Sequence, residues 1–310
     1  MPHKFRFGIQ TSRAPSREEW VDKVRRIEEL GFSSLFIPDH FNNQFAPIPA
    51  LMAAADATSS LRLGTLVLDN DFRHPLVLAK ELATLDVLSG GRVEAGLGAG
   101  WMVSDYEQSG MVYERPGVRI SRLEEAVKIM KGLFAEGPFT FSGKHYSITN
   151  HEGTPKPVQK PHPPFLIGGG GKRVLTLAAR EADIVGVNFS LAEGVVNPAV
   201  AVTGSAAATA EKIAWIREAA GKRLDDLELN VTVFFSTVTD DRKAMAERIA
   251  PGFGLSPEDV LLSPHVVIGT VEQIVDDLQR RREEYGFSYI VFSGDVFEAM
   301  APVVKRLAGT

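Results

Sequence analysis

Short apolar runs alternate with amphipathic stretches eight times along this chain, and that rhythm restricts the folds open to it more than any single motif does. KFRFGIQ (4–10) precedes SREEWVDKVRRIEELG (16–31), where Trp20, Val24, Ile27 and Leu30 recur at three- and four-residue steps. Ser16 and Glu19 have the spacing of a capping box, and Gly31 ends the helix. SSLFIPDH (33–40) leads to a helix over 47–59. LRLGTLVL (61–68) leads to one over 74–91, with Pro75 at its start and Gly90 and Gly91 at its stop. RVEAGLG (92–98) precedes a helix over 122–137, PFLIGG (164–169) one over 172–182, and ADIVGVNF (182–189) one over 205–220. LELNVTVFFSTV (227–238) is followed by helices over 240–250 and 270–286, and SYIVFSG (288–294) runs into a last helix over 295–308.

Alternating elements favour a parallel sheet. Eight units in 310 residues favour an α/β fold closed into a (β/α)8 TIM barrel, one domain over 1–310, rather than an open doubly wound sheet. Three connections are long, 99–116, 138–163 and 189–204, and all three are assigned to the carboxyl face, where such barrels hold their sites. The middle one contains FTFSGKHYSI, which reads as a β-hairpin turning at Ser142-Gly143.

Several classes of function are excluded early. A net charge of −5 argues against a nucleic-acid surface. The absence of cysteine removes disulfides, thiolate metal sites and cysteine nucleophiles together. No run of about 18 apolar residues suggests a membrane span, and MPHKFRFGIQ lacks the apolar core of a secretory signal, so a cytoplasmic location is expected. The seven histidines show no HxxxH pairing, so no metal site is expected, and no G-x-S-x-G elbow is present.

The residues just after each strand collect the candidate site. They are Asp39 and His40 after strand 2, Asp69, Asn70 and Asp71 after strand 3, and Gly96 to Trp101 after strand 4. Gly168 to Gly171 follow strand 5, Asn188 and Phe189 strand 6, and Ser293, Gly294 and Asp295 strand 8. The four glycines open a helix that starts with Lys172 and Arg173. Unpaired amides at a helix start, with no side chain in the way, make an anion site; the alternative is a tight turn between strand and helix. A Cβ at Gly170 is expected to intrude on that anion and to leave folding intact. GLGAGW is not a dinucleotide fingerprint, because Trp101 takes the place of the third glycine of G-x-G-x-x-G. A flat ring lying on bare backbone accounts for its glycine spacing, with Trp101 as a wall of the pocket or as a buried structural side chain. His40 is the candidate for proton chemistry, and Asp39 beside it is expected to orient its ring.

LFIPDH, LGTLVLDNDFRHPLVLAKELATLDVLSGGRVEAGLGAGW, KPVQKPHPPFLIGGGGKRVLTLAAREADIVGV and GTVEQIVDDLQRRREEYGFSYIVF together resemble the luciferase-like monooxygenase superfamily, most closely its deazaflavin-dependent oxidoreductases. The resemblance implies a tricyclic ring across the carboxyl end of the barrel. Beneath the ring it implies a bulge at Leu66-Val67, often with a non-prolyl cis peptide. The candidate catalytic residues are His40, which the resemblance supports, with Asp39 and Trp101 from the reading of the strand ends. The candidate cofactor-binding residues are Leu66, Val67, Gly169, Gly170, Gly171, Lys172 and Arg173 from the resemblance, together with Asp69, Gly98, Ala99, Gly100, Gly168 and Asn188 from the strand ends. Relatives that oxidise sugar phosphates have a glutamate where this chain has Trp101, which puts that substrate in doubt. The resemblance therefore implies hydride transfer between coenzyme F420 and a small organic substrate in a homodimer, and the charge and apolar runs leave no nucleic-acid or membrane partner expected. FMN-dependent monooxygenation is the alternative, and a non-catalytic cofactor-binding barrel is a third reading.

Overall fold

Runs such as Leu35-Phe36-Ile37 and Phe165-Leu166-Ile167 are buried on both faces, as strands covered by helices outside and by a filled interior inside must be. The structure, a computed structural model, describes residues 3–310. The barrel strands are β1 (Arg6–Gln10), β2 (Ser34–Ile37), β3 (Arg62–Thr65), β4 (Val93–Gly98), β5 (Phe165–Gly169), β6 (Ile184–Val187), β7 (Glu228–Val233) and β8 (Phe287–Ser293). Each pairs in parallel with its sequence neighbour. The ring closes where β8 meets β1, with Arg6 opposite Tyr289 and Gln10 opposite Ser293. The expected eight-stranded barrel is borne out.

Its amino end is plugged by charge rather than by hydrocarbon. Glu94 accepts hydrogen bonds from Arg6 Nη1 at 2.5 Å, Arg62 Nε at 2.6 Å and Tyr289 Oη at 2.8 Å. Arg6 also donates to both Glu228 oxygens and lies 3.6 Å over the Tyr289 ring. Burial opposes the charge of Glu94, but the two guanidinium groups and the donors on Arg6 and Tyr289 outweigh it, holding its pKa below the ordinary carboxylate value. Above this layer Phe36 fills the axis. A Cβ on Gly64 would lie 2.2 Å from its ring, and one on Gly8 3.1 Å from it, so these two glycines make its room.

The elements differ from the sequence reading in three places. The run 227–238 is two strands: β7 ends at Val233, and Phe235–Val238 leaves the barrel to pair with Val266–Gly269. That partner is only four residues long, too short to stand out beside the helix Val271–Tyr285 that follows it. The helix expected from 122 begins at Pro116, with the proline in its first turn, and the loop before it holds a short helix, Val103–Ser109. The connection 138–163 does not belong to the carboxyl face: it leaves the helix Pro116–Phe134 and enters the amino end of β5. Its hairpin forms as expected, Phe139–Ser142 with Ser147–His151, and climbs the outside until Tyr146 Oη accepts from Asn70 Nδ2 at 3.3 Å. Among the described residues, no helix is long and apolar enough to cross a membrane.

Removing Glu94 takes the carboxylate from the half-buried Arg62 and leaves the half-buried Arg6 with Glu228 alone. Glu94→Ala should cost about 3–5 kcal/mol in urea unfolding at neutral pH; a loss below about 1 kcal/mol would mean that the plug is not what holds the barrel's amino end.

Candidate active site

After Thr65, β3 breaks at a non-prolyl cis peptide between Leu66 and Val67 and resumes as Leu68–Asp69, paired with Leu97 and Gly98. The Gln10 side chain donates to Leu66 O at 2.8 Å, and Thr65 Oγ1 donates to Gly96 O at 2.7 Å. Val67 is wedged between two strand ends. A Cβ on Gly98 would fall 2.4 Å from its Cγ2, and one on Gly168 3.1 Å from its Cγ1. A Cβ on Gly96 would overlap Thr65 O at 1.6 Å. Gly100 has φ +75°, and a Cβ there would lie 2.0 Å from Tyr106 Oη. Gly96 and Gly98 thus make room for the protein's own bulge and Gly100 for Tyr106 and Asp69, while Gly98 and Gly100 also line the cavity. Leu66 and Val67 form the floor of a cavity of about 910 Å³.

The glycine quartet divides by the same test. Gly168, Gly169, Gly170 and Gly171 all line the cavity. A Cβ on Gly169 would meet Val174 at 2.3 Å, and one on Gly170 would meet Phe189 O at 2.0 Å. Gly170 is therefore demanded by packing, and the expectation that a side chain there spares folding is corrected. A Cβ on Gly171 meets nothing within 4 Å. Gly171 is also the N-cap of the helix Lys172–Glu181 and offers no side-chain acceptor, so the first-turn amides beside it lack intrahelical partners. Lys172 and Arg173 do not line the cavity. The Lys172 ammonium lies 6.0 Å from the Trp215 ring, and Arg173 donates to Gly117 O at 2.6 Å and Ser121 Oγ at 2.8 Å. Asn188 lines the cavity and accepts from the Phe189 amide at 2.7 Å.

His40 and Trp101 meet on the wall opposite, edge to face, with ring centres 5.5 Å apart. The acid that orients His40 is Asp105, whose Oδ2 lies 2.7 Å from Nδ1; Asp39 does not do this. An ionised carboxylate only accepts, so Nδ1 carries the hydrogen and Nε2 is the nitrogen left for chemistry. Asp39 instead accepts from Arg73 Nη1 at 2.5 Å and from the Asp69 amide at 3.2 Å, which ties the floor to β2. Sequence reasoning missed Asp105 because the seven-residue helix carrying it is too short for a readable period.

Behind Gly100, Tyr106 Oη lies 3.0 Å from Asp69 Oδ2 and 3.1 Å from Asp71 Oδ2. One hydroxyl proton cannot satisfy two carboxylates, so the group needs a second proton. Burial, seconded by the charges of Asp71 and Asp39, raises Asp69 to about 7, against the pull of the Asp71 amide and Tyr106. Asn230, also on the wall, is fully buried and has an Oδ1 without a partner.

The closed barrel agrees with the comparisons with known proteins. The sequence model of the luciferase-like monooxygenases matches residues 2–256. The chain belongs to this family. A coenzyme F420-dependent glucose-6-phosphate dehydrogenase of Nakamurella multipartita is 31% identical over 272 residues, 83% of this chain and 75% of the relative. An FMNH(2)-dependent dimethylsulfone monooxygenase of Pseudomonas putida is 27% identical over 199 residues, 61% of this chain, and the match spans only 54% of that relative. The coenzyme F420-dependent tetrahydromethanopterin reductase of Methanopyrus kandleri superposes with a TM-score of 0.77 over 99% of both chains, at 21% identity, a likeness of fold.

In this luciferase-like barrel the acid pair makes a pH signature. Asp69 keeps its proton in the folded state up to about 7 but loses it near 3.8 when unfolded, so stability falls as pH rises between those values and levels off above. Asp69→Asn should abolish that fall, with chemical denaturation at a series of pH values as the readout; an unchanged slope would contradict a protonated Asp69.

Proposed function

We propose that the cavity holds a redox heterocycle, coenzyme F420 in preference to FMN, and that the chain transfers a hydride between it and a small organic substrate. The observation that carries this reading is the uncapped helix start at Gly171, open to the cavity within reach of the Leu66-Val67 floor. The residues fit such a group. Amides beside Gly171 suit an anionic phosphodiester, the bulge offers an apolar floor, and Asn230 Oδ1 is a buried acceptor in want of a donor. The dehydrogenase match covers more of the chain than the monooxygenase match does, which favours the deazaflavin.

A bound deazaflavin supplies the carbon that takes or gives the hydride. The chain's own residues do the rest. Asp105 fixes His40, whose Nε2 holds or releases a proton at the substrate. Trp101 packs against the imidazole edge and keeps water from it. Gly98, Ala99 and Gly100 wall the site, and Asp39 acts at one remove by anchoring Arg73 and the Asp69 amide. Lys172 and Arg173, pointing elsewhere, contribute field rather than contact. The assembly we envisage is a homodimer, which light scattering at twice the chain mass checks.

Titration with coenzyme F420 and with FMN, followed by cofactor fluorescence, tests the reading; tighter binding of FMN together with oxygen uptake would favour the monooxygenase alternative. Gly171→Val should fold normally and weaken cofactor binding by about tenfold or more, and an unchanged Kd would remove the anion site. Asp105→Asn should lower turnover about 100-fold while leaving cofactor affinity intact; full turnover in that variant would take His40 out of the chemistry.

A further inference from the structure

We infer that the substrate side of this cavity is built for an uncharged, largely apolar molecule and against a phosphorylated or carboxylated one, an inference that rests on reading the cavity as the redox site. The floor and the Gly171 amides place the heterocycle and its anionic tail along β3, β4 and β5. The space left over lies against the ends of β6 and β7. None of the lining residues contributed by 186–253 carries a charge. The large side chains there are Phe189, Leu191, Val196, Phe234 and Phe253. Phe189 and Phe234 stack with ring centres 4.9 Å apart, so the exposed Phe234 ring is backed by the buried Phe189. Phe234 and Val196 remain 37% and 64% exposed, apolar surface that nothing in the chain covers.

The two bases behind this wall are tied to backbone carbonyls and do not line it. Lys212 is buried behind it, with Nζ donating to Asn188 O at 2.7 Å and Thr203 O at 2.6 Å. His265 is fully buried beneath Phe189, with Nδ1 on Thr232 O at 2.8 Å, and burial keeps it neutral by pushing its pKa to about 3. Across the cavity, Arg119 is buried, with Nη1 bonded to Glu114 O at 2.7 Å, its plane stacked on Tyr113 at 4.0 Å and its Nε without a partner among the described residues. It comes from the helix Pro116–Phe134 and not from the β6–β7 wall. Arg13 also lines the cavity, but on the β1 side and in solvent, where its charge is screened. A phosphate entering the β6–β7 side would shed water and touch no charged side chain among the residues that line it from 186–253. A neutral carbonyl compound with an apolar body would lose little on entry and gain contact with the Phe234 ring.

Ligand-observed saturation-transfer NMR on the protein, with and without coenzyme F420, should detect 2-cyclohexenone and rank it about tenfold or more above glucose 6-phosphate. Phe234→Arg and, should that variant misfold, Val196→Lys should weaken the enone and improve the phosphate. Equal or tighter binding of glucose 6-phosphate by the wild type, or binding of neither probe, overturns the inference. Should neither F420 nor FMN bind while the enone does, the redox reading fails and the apolar site stands. Should a cofactor bind and the phosphate be preferred, the inference fails alone.

Discussion

The wedging of Val67 between Gly98 and Gly168 sets the mouth of this barrel. A strand that stayed regular past Thr65 would leave an open funnel. Here β3 turns inward, and bare backbone on β4 and β5 is what lets it do so. The place of the Leu66-Val67 floor follows from that contact. Because interiors are packed without slack, a single added methyl at Gly96 or Gly98 would have to push the floor itself.

Charge is sorted along the barrel axis. The amino end carries a dense ionic plug, in which Glu94 is ionised because two guanidinium groups outweigh its burial. At the carboxyl end the acids are each committed. Asp39 serves Arg73, Asp105 serves His40, and Asp69 shares Tyr106 with Asp71 by keeping a proton. What faces the cavity from the β6–β7 side is uncharged. Fixed ion pairs thus hold the frame, while the space itself stays apolar enough to strengthen any hydrogen bond made at His40.

The sequence carried the barrel plainly, since each strand–helix unit states its own burial pattern locally and eight of them close in only a few ways. It carried the positions of His40 and the glycine quartet, because strand ends and helix starts are also local features; the Leu66-Val67 bulge came only through the family resemblance. It did not carry the roles within those groups. Gly170 and Gly171 look alike in a sequence, yet one faces Phe189 O and the other faces open space.

The order of elements, and with it the family and the place of the site, was therefore determined by the amino-acid sequence alone. The partner of His40 was decided only in three dimensions. Asp39 is adjacent in the chain, but successive residues of an extended segment point to opposite sides, and it is Asp105, 65 residues on, that the closed ring brings to Nδ1. The same holds for Phe234, where one apolar run leaves the barrel because His265 O waits to accept its amide. Periodicity says which faces are buried; only the closure of the ring says which buried groups meet.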